Sequence, residues 1–411
     1  MANKALITAV SSHNNKSKTA ELCNELKFLA TTANFEVVET VIQNREHIDP
    51  AYYIGKGKLE YIKRLTSSGD ISYLIALDDL SPTQKSEMEK ALGITVMDRT
   101  GLILKIFANN ATTKEGKMEV ELAQLRYSLP TMKGKGKKLS NLGGGIGTRG
   151  PGEKKLEIDK RNAQKRISHL RETLKKLRKE NTTMRKRRME NSIPVVSLVG
   201  YTNAGKTSLM NEITGSDLQT EDKLFSTLET RVRRAALPDG KKILISDTVG
   251  FIRELPHELM ASFKSTLEEV SFSDLLFVVL DASDLNIDEK FKTVEETLKE
   301  IGADNINRFI ILNKIDLCTN TRIKELENKY SDAVFVSALR RFNIQEMLKK
   351  AQKYFNKNKE VFRIKIPMHK LSKFLQYRER LTVLEEKYTN NVAYLTYRTD
   401  KELQKHLLTR L

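Results

Sequence analysis

The sequence predicts an α/β protein of several domains. Residues 1–110 alternate short apolar runs with helical patterns, and residues 191–355 repeat that alternation, which is typical of mostly parallel sheets. Between them, residues 111–190 carry apolar seams at helical spacing and predict a long antiparallel helical hairpin. Residues 356–411 predict a small α+β domain of strand, helix, strand hairpin and helix. A chain of 411 residues is too long for one core, so we predict these four parts as domains.

The first domain begins with four candidate strands, "KALITAV", "FEVVETVIQ", "ISYLIALDD" and "ITVMD". In "YYIGKGKLEYIKRL", Gly55 and Gly57 alternate with Lys56 and Lys58 just before a helix. Backbone amides at a helix N-terminus could bind phosphate there, but a basic loop at a helix start is the preferred interpretation.

Heptad-like spacing marks the two helices of the hairpin. The seam residues follow a 4-3-4 rhythm. They are Met118, Leu122, Leu125 and Leu129, closed by Pro130, and then Ala163, Ile167, Leu170, Leu174 and Leu177. Basic residues outnumber acidic ones more than two to one between residues 152 and 190, which favours an anionic partner over a merely solvated face.

A glycine- and lysine-rich segment, residues 131–152, is predicted to form the tip loop of the hairpin. A loop of this length in a compact domain is usually functional or disordered. A basic tip is suited to RNA phosphates. The candidate RNA-binding residues are Lys133, Lys135, Lys137, Lys138 and Arg149.

Composition narrows the class of partner. The formal charge is +18 and the pI about 9.6, which attracts polyanions, first RNA and second an anionic membrane surface. Neither a membrane span nor a secretory signal is visible, and the two cysteines have no metal or disulfide spacing. We therefore expect a cytoplasmic protein. Since nothing in the sequence suggests an obligate dimer, we expect it to be monomeric.

The stretch "GYTNAGKT", Gly200–Thr207, follows a strand and opens a helix, as a phosphate-binding loop requires. Lys206 is predicted to reach the β- and γ-phosphates, and the Thr207 hydroxyl to bind Mg²⁺. "DTVG", Asp247–Gly250, follows the next long strand: Asp247 would hold Mg²⁺ through a water, and the Gly250 amide would contact the γ-phosphate.

"NKID", Asn313–Asp316, predicts that the nucleotide carries guanine. The Asp316 carboxylate can accept hydrogen bonds from both N1–H and the 2-amino group, a pair of donors that adenine lacks. After the next strand, a backbone amide of "SAL", Ser337–Leu339, can meet guanine O6.

A switch segment is predicted between the phosphate loop and "DTVG". Thr227 in "FSTLE" would complete the Mg²⁺ shell only when a γ-phosphate is present. We expect Lys206, Thr227 and Gly250 to be catalytic. The remaining predicted nucleotide-binding residues are Tyr201, Thr202, Asn203, Ala204, Gly205, Phe225, Ser226, Leu228, Glu229, Thr248, Val249, Lys314, Ile315 and Ala338.

Two residues depart from the common pattern. Phe251 stands where many GTPases carry a glutamine that orients the attacking water, so intrinsic hydrolysis should be slow unless a partner or another residue replaces it. Asn203 lies where an asparagine coordinates K⁺ in GTPases that use this ion in place of an arginine finger. The alternative is that Asn203 only stabilises the loop.

Together these motifs resemble the HflX-type GTPases of the Obg-HflX branch. "DTVGFIRELPHELMASFKSTLEE" in the GTPase domain, and "MDRTGLILKIFANNATTKEGKMEVELAQLRYSLP" and "GGGIGTRGPGEKKLEIDKR" before it, carry the resemblance over most of the chain. The chain departs from the family's usual "GET" plus glutamine, with "GEKK" at Gly152–Lys155.

The resemblance implies Mg²⁺-dependent GTP hydrolysis, slow alone and stimulated by the ribosome. It also implies binding to the large (50S) ribosomal subunit and its rRNA, and splitting or rescue of stalled 70S ribosomes under stress. The alternatives are a GTPase of RNA processing or subunit maturation, a binding protein with a degenerate site, and an ATP-using RNA helicase. The sequence shows no second catalytic centre, and its nucleotide motifs are intact.

Overall fold

The computed structural model describes residues 3–12, 15–139, 151–190, 193–215, 225, 231–253, 267, 269–357, 359–399 and 401–410. Only the backbone is described for residues 131–139, 151–156 and 178–190. The chain forms two compact units. The first holds residues 1–177, 221–228 and 254–264, and the second holds residues 178–220, 229–253 and 265–411.

A four-stranded parallel sheet of order β2-β1-β3-β4 organises the first unit. Its strands are β1 (Asn3–Ser11), β2 (Phe35–Asn44), β3 (Ile71–Ala76) and β4 (Thr95–Asp98). The helices between and after them are α1 (Lys16–Thr32), α2 (Lys56–Ser68), α3 (Pro82–Leu92) and α4 (Arg99–Asn110). This is the predicted α/β layer, and its core includes Leu6, Ile62 and Leu74.

The hairpin consists of α5 (Lys114–Leu139) and α6 (Pro151–Glu190). Leu122, Ile167, Leu170 and Leu174 form a buried cluster between them. The Arg166 guanidinium donates to both carboxylate oxygens of Glu121 at 2.7 and 2.8 Å. The two apolar seams therefore face each other.

The tip loop begins later than predicted, because α5 continues through Pro130 to Leu139. Proline removes one helical hydrogen bond, and a helix can accommodate it with a local bend, while lysine favours helix. Lys133, Lys135, Lys137 and Lys138 thus lie on α5. Arg149 lies outside the described residues.

The second unit has a six-stranded sheet of order β10-β9-β8-β5-β7-β6. Its strands are β5 (Val195–Gly200), β6 (Arg231–Ala236), β7 (Lys242–Asp247), β8 (Leu275–Asp281), β9 (Arg308–Asn313) and β10 (Val334–Phe335). The helices are α7 (Lys206–Thr214), α8 (Ile287–Glu300), α9 (Asn320–Lys329) and α10 (Ile344–Asn356). All neighbouring strands pair in parallel except β6, which is antiparallel to β7 at the edge.

A small antiparallel sheet, β11-β13-β12, completes this unit. It comprises β11 (Glu360–Pro367), β12 (Thr382–Tyr388) and β13 (Val392–Thr399), with helices α11 (Leu371–Leu375) and α12 (Lys401–Arg410). Among the described residues of the whole chain, no helix has the length and apolar character that crossing a bilayer needs.

Candidate functional site: a guanine-nucleotide site

Four of the predicted motifs meet at one edge of the six-stranded sheet. Gly200–Thr207 follows β5, Asp247–Gly250 follows β7, Asn313–Asp316 follows β9, and Ser337–Leu339 follows β10. These strands run in parallel, so their carboxyl ends share an edge, where ligands of open α/β sheets bind.

The phosphate loop turns from β5 into α7 through a left-handed Gly205, with φ +88°. A Cβ on Gly205 would lie 2.3 Å from the Asn313 side-chain nitrogen, so only glycine fits. The turn leaves the first amides of α7 without helical partners, which suits them to an anion.

Lys206 is buried inside this loop. Its ammonium donates to the carbonyls of Gly200 and Tyr201 at 3.1 and 2.9 Å. Burial lowers the pKa of Lys206 to about 8, and the Asp247 carboxylate partly offsets that effect. An anionic phosphate would favour the charged ammonium and so raise this pKa again.

Thr207 and Asp247 form the predicted magnesium pair. The Thr207 hydroxyl donates to Asp247 Oδ2 at 2.8 Å, and Asp247 is fully buried. A hydroxyl and a carboxylate are oxygen ligands of the kind that Mg²⁺ prefers beside nucleotide phosphates. In the described part of the chain, no cluster of three or more His, Cys, Asp or Glu side chains could hold an ion. Thr207 and Asp247 would suit a Mg²⁺ ion that takes further oxygen ligands from the phosphates of a nucleotide.

The segment after Asp247 lies directly against the phosphate loop. The buried Thr248 hydroxyl donates to the Leu198 carbonyl at 2.8 Å. A Cβ on Gly250 would come within 2.8 Å of Thr202 Cα and 3.0 Å of the Lys206 ammonium nitrogen. Gly250 thus lies beside the lysine predicted to reach the γ-phosphate.

Phe251 joins the two segments through its backbone. Its N–H donates to the Gly200 carbonyl at 3.0 Å, and its carbonyl accepts from the Thr202 N–H at 2.8 Å. The phenyl ring is buried and has no group that could hold a water by hydrogen bonding. The Phe251 side chain therefore offers no group that could orient an attacking water, and slow intrinsic hydrolysis stays a prediction.

Asn313 ties the guanine motif to two other loops. Its side-chain N–H donates to the Ala204 carbonyl at 3.0 Å, and its side-chain oxygen accepts from the Ala338 N–H at 3.0 Å. Asn313 itself is 1% exposed. One amide side chain therefore fixes the relative positions of the phosphate loop, "NKID" and "SAL".

The Asp316 carboxylate is oriented by a neighbouring hydroxyl group. The Ser337 hydroxyl donates to Asp316 Oδ1 and accepts from the Arg340 N–H. Asp316 thereby keeps oxygen lone pairs for the guanine edge. Of the "SAL" residues, Ser337 and Ala338 are buried and Leu339 is 78% exposed.

Sequence reasoning missed Asp281 as a site residue. Its Oδ2 pairs with the Lys314 ammonium at 2.8 Å, and its Oδ1 accepts from the Ser283 N–H and hydroxyl. Lys314 has a left-handed backbone, φ +63°, and the ion pair fixes where its side chain goes. The signal was a polar residue at the carboxyl end of the apolar run "DLLFVVLDAS".

The predicted switch segment is described only at Phe225, which belongs to the first unit. Phe225 is buried, its ring packs edge-on against Phe107 at 4.8 Å, and its carbonyl accepts from Asn110 Nδ2 at 2.6 Å. Ser226, Thr227, Leu228 and Glu229 lie outside the described residues.

Three family models match consecutive parts of the chain. Residues 20–108 match the model "GTP-binding GTPase N-terminal", and residues 110–188 match "GTP-binding GTPase Middle Region". Residues 195–314 match "50S ribosome-binding GTPase". The models stop short of residues 360–410, where the small antiparallel sheet lies.

Several relatives match over most of their length. GTPase HflX of Caldanaerobacter subterraneus subsp. tengcongensis is 45% identical over 90% of this chain and 85% of its own. The Lacrimispora saccharolytica protein of that name is 46% identical over 76% and 74%, and the Escherichia coli one is 39% identical over 78% and 76%. A solved SsGBP–GDP complex is 28% identical, covers 86% of this chain and 98% of its own, and gives a TM-score of 0.49.

The geometry of the site and the similarity to the relatives both indicate a GTPase. The phosphate loop, the Thr207–Asp247 pair and the guanine motif lie together in the second unit, and the identities extend well beyond these motifs. The chain therefore belongs to the HflX family of GTPases.

Proposed function

We propose that this GTPase hydrolyses GTP to GDP and phosphate with Mg²⁺, and that it acts on the large ribosomal subunit. GTP hydrolysis is supported by the two hydrogen bonds of the Asn313 side chain. They hold the phosphate loop, "NKID" and "SAL" in one arrangement. Lys206 would bind the phosphates, Thr207 and Asp247 would hold Mg²⁺, and Asp316 would select guanine.

The ribosomal half of the proposal is supported by the model matched over residues 195–314 and by the charge of the hairpin. Helix α6 carries fifteen basic and six acidic residues. A helix with this excess of positive charge would neutralise RNA phosphates, so binding should weaken steeply with salt. More specifically, we propose that the protein splits or rescues stalled 70S ribosomes. We propose that it does so in the cytoplasm and as a monomer.

The first test is GTP hydrolysis by the purified protein, alone and with isolated 50S subunits. Because Phe251 offers no water-positioning group, we expect slow hydrolysis alone and strong stimulation by 50S. A fast rate that 50S leaves unchanged would contradict the partner-activated mechanism. Running both settings in K⁺ and in Na⁺ tests Asn203, since a potassium ligand predicts faster hydrolysis in K⁺.

Asp316→Asn is the matched control for nucleotide identity. An amide in place of the carboxylate loses the paired acceptors for guanine but can donate to the 2-oxo group of xanthine. We expect this variant to lose GTP hydrolysis with 50S and to regain it with XTP. Splitting of 70S particles, followed by light scattering, should then require XTP in the variant and GTP in the wild type.

A further inference from the structure

The small sheet of the second unit has two unlike faces. On one face, Ala393, Leu395 and Tyr397 of β13 are buried in a cluster with Phe374 of α11 and Leu407 of α12. The alternate residues of β13 point to the other face, because side chains alternate along a strand. Tyr394 is the large aromatic residue there, and 45% of it is exposed.

A cation stands on each side of Tyr394. Lys365 of β11 and Lys387 of β12 are both its direct register partners, so the three side chains form one row across the sheet. Neighbouring strands are about 4.8 Å apart, which places each lysine within reach of the ring. The Lys365 ammonium lies over the ring, 5.6 Å from its centroid.

The next row extends the positive charge. Arg363, also exposed, pairs in register with Thr396, and Thr396 pairs with Glu385. Glu385 forms an ion pair with Lys387 at 3.0 Å. Three cations against one carboxylate leave this face with a net positive charge around an accessible ring.

We propose that this face, defined by Arg363, Lys365, Lys387 and Tyr394, binds single-stranded RNA. A base would stack on the Tyr394 ring in place of the Lys365 ammonium, and this lysine and the other cations would bind the adjacent phosphates. Sheet surfaces that present an aromatic ring beside basic residues recognise unpaired nucleotides in this way.

The ring distinguishes RNA from other anionic partners. An acidic protein segment would pair with the three cations but would gain little from stacking on Tyr394. If the face bound no partner, neither the cations nor the Tyr394 ring would affect RNA binding. The face lies outside the GTPase motifs and beyond residue 314, so the proposal does not rest on the ribosomal function.

The test uses the full chain and a fluorescein-labelled single-stranded RNA of ten nucleotides, with binding followed by anisotropy across a salt series. The hairpin adds a background of electrostatic binding, so the comparison is between variants. We expect Tyr394→Ala to weaken binding at least fivefold and Tyr394→Phe to retain it, because phenylalanine keeps the stacking surface.

Charge is tested with two matched double variants. Lys365→Gln with Lys387→Gln removes two charges from the face, and Lys373→Gln with Lys405→Gln removes two exposed charges from α11 and α12. Only the first pair should reduce the slope of log K against log salt, by about 1.4 for two phosphate contacts. Circular dichroism checks that each variant is folded.

Three results would overturn the proposal. One is wild-type RNA affinity in the Tyr394→Ala variant. Another is an equal change of salt slope in both double variants, which would indicate unspecific attraction. The third is a poly-glutamate peptide that displaces the RNA from the wild type and binds the Tyr394→Ala variant undiminished, which would assign the face to an acidic protein. RNA carrying 4-thiouridine should crosslink to the peptide that contains Tyr394.

Discussion

The side-chain amide of Asn313 donates a hydrogen bond to the main-chain carbonyl of Ala204, at 3.0 Å. This contact connects the loop that reads the base to the loop that binds the phosphates. Both groups are buried, so its loss leaves a carbonyl without that partner inside the protein. Asn313 therefore connects the base-binding and phosphate-binding parts of the nucleotide site directly.

Asn313→Ala should weaken GTP and GDP binding together. Losing a buried hydrogen-bond partner costs about 1–3 kcal/mol, which corresponds to a loss of affinity of about fivefold to 150-fold. Titration calorimetry with both nucleotides measures it. Asn286→Ala, at a helix start where the side chain makes no capping bond, serves as the control and should bind normally. A loss confined to GTP would contradict a role shared by both loops.

Asp281→Asn should weaken binding of both nucleotides by a smaller factor. The Asp281–Lys314 pair is partly exposed, so its contribution is about 0.2–1 kcal/mol, or about 1.4-fold to fivefold in affinity. The rate at saturating GTP should not change, because Asp281 contacts Lys314 and not the phosphate loop. Asp288→Asn breaks the ion pair with Lys329 on the exposed side of α8 and α9 and is the control. Equal effects of the two variants would assign the loss to charge alone.

The Asp281–Lys314 pair also shows where sequence reasoning stops. The apolar runs of β5, β7, β8 and β9 are long enough to predict buried strands, and the phosphate loop, "DTVG" and "NKID" follow β5, β7 and β9. That Asp281 meets Lys314 depends on β8 and β9 being neighbours with Asp281 opposite Asn313 in register. Strand order and register are set by the packed sheet, so the ion pair could not be derived from spacing along the chain.

Strand β6 and the end of α5 were missed for local reasons. The segment "RVRRAA" forms an exposed antiparallel edge strand, and its cations hide the alternation that marks a strand. Pro130 suggested a helix end, yet α5 continues for nine residues beyond it. A single proline is a statistical stop signal, whereas the rest of the helix decides whether it is tolerated.

Phe225→Ala should destabilise the first unit locally. Phe225 is 2% exposed, and truncating a buried phenylalanine costs about 3–5 kcal/mol. Because its ring packs on Phe107 of α4, hydrogen–deuterium exchange should accelerate in α4. Phe28→Ala removes a ring that is 56% exposed on α1 and should leave the exchange unchanged. Unaltered α4 protection in the Phe225→Ala variant would show that the contact does not stabilise this unit.

The stability of the second unit should increase with pH because of Lys241. Lys241 is 7% exposed, and its ammonium lies 5.4 Å from the centroid of the Phe355 ring. Burial, and after it the nearby Lys359, lower its pKa to about 7, although Asp239 and Asp274 partly offset both effects. The folded state therefore binds this proton less tightly than the unfolded chain does.

The sign follows from proton counting. Between pH 7 and about 10.5, the unfolded chain holds the Lys241 proton that the folded protein has released. The free energy of unfolding should therefore rise with pH across this window, by up to about 1.4 kcal/mol per pH unit from this group. Below pH 7, Lys241 should not change the free energy of unfolding with pH.

Lys241→Met should flatten the rise, because methionine keeps the apolar stem without a titrating group. Lys359→Gln should narrow the window, since removing the neighbouring charge raises the Lys241 pKa. Urea unfolding followed by circular dichroism from pH 6.5 to 9.5 measures all three proteins, and an equal slope in wild type and Lys241→Met would exclude Lys241 as the cause.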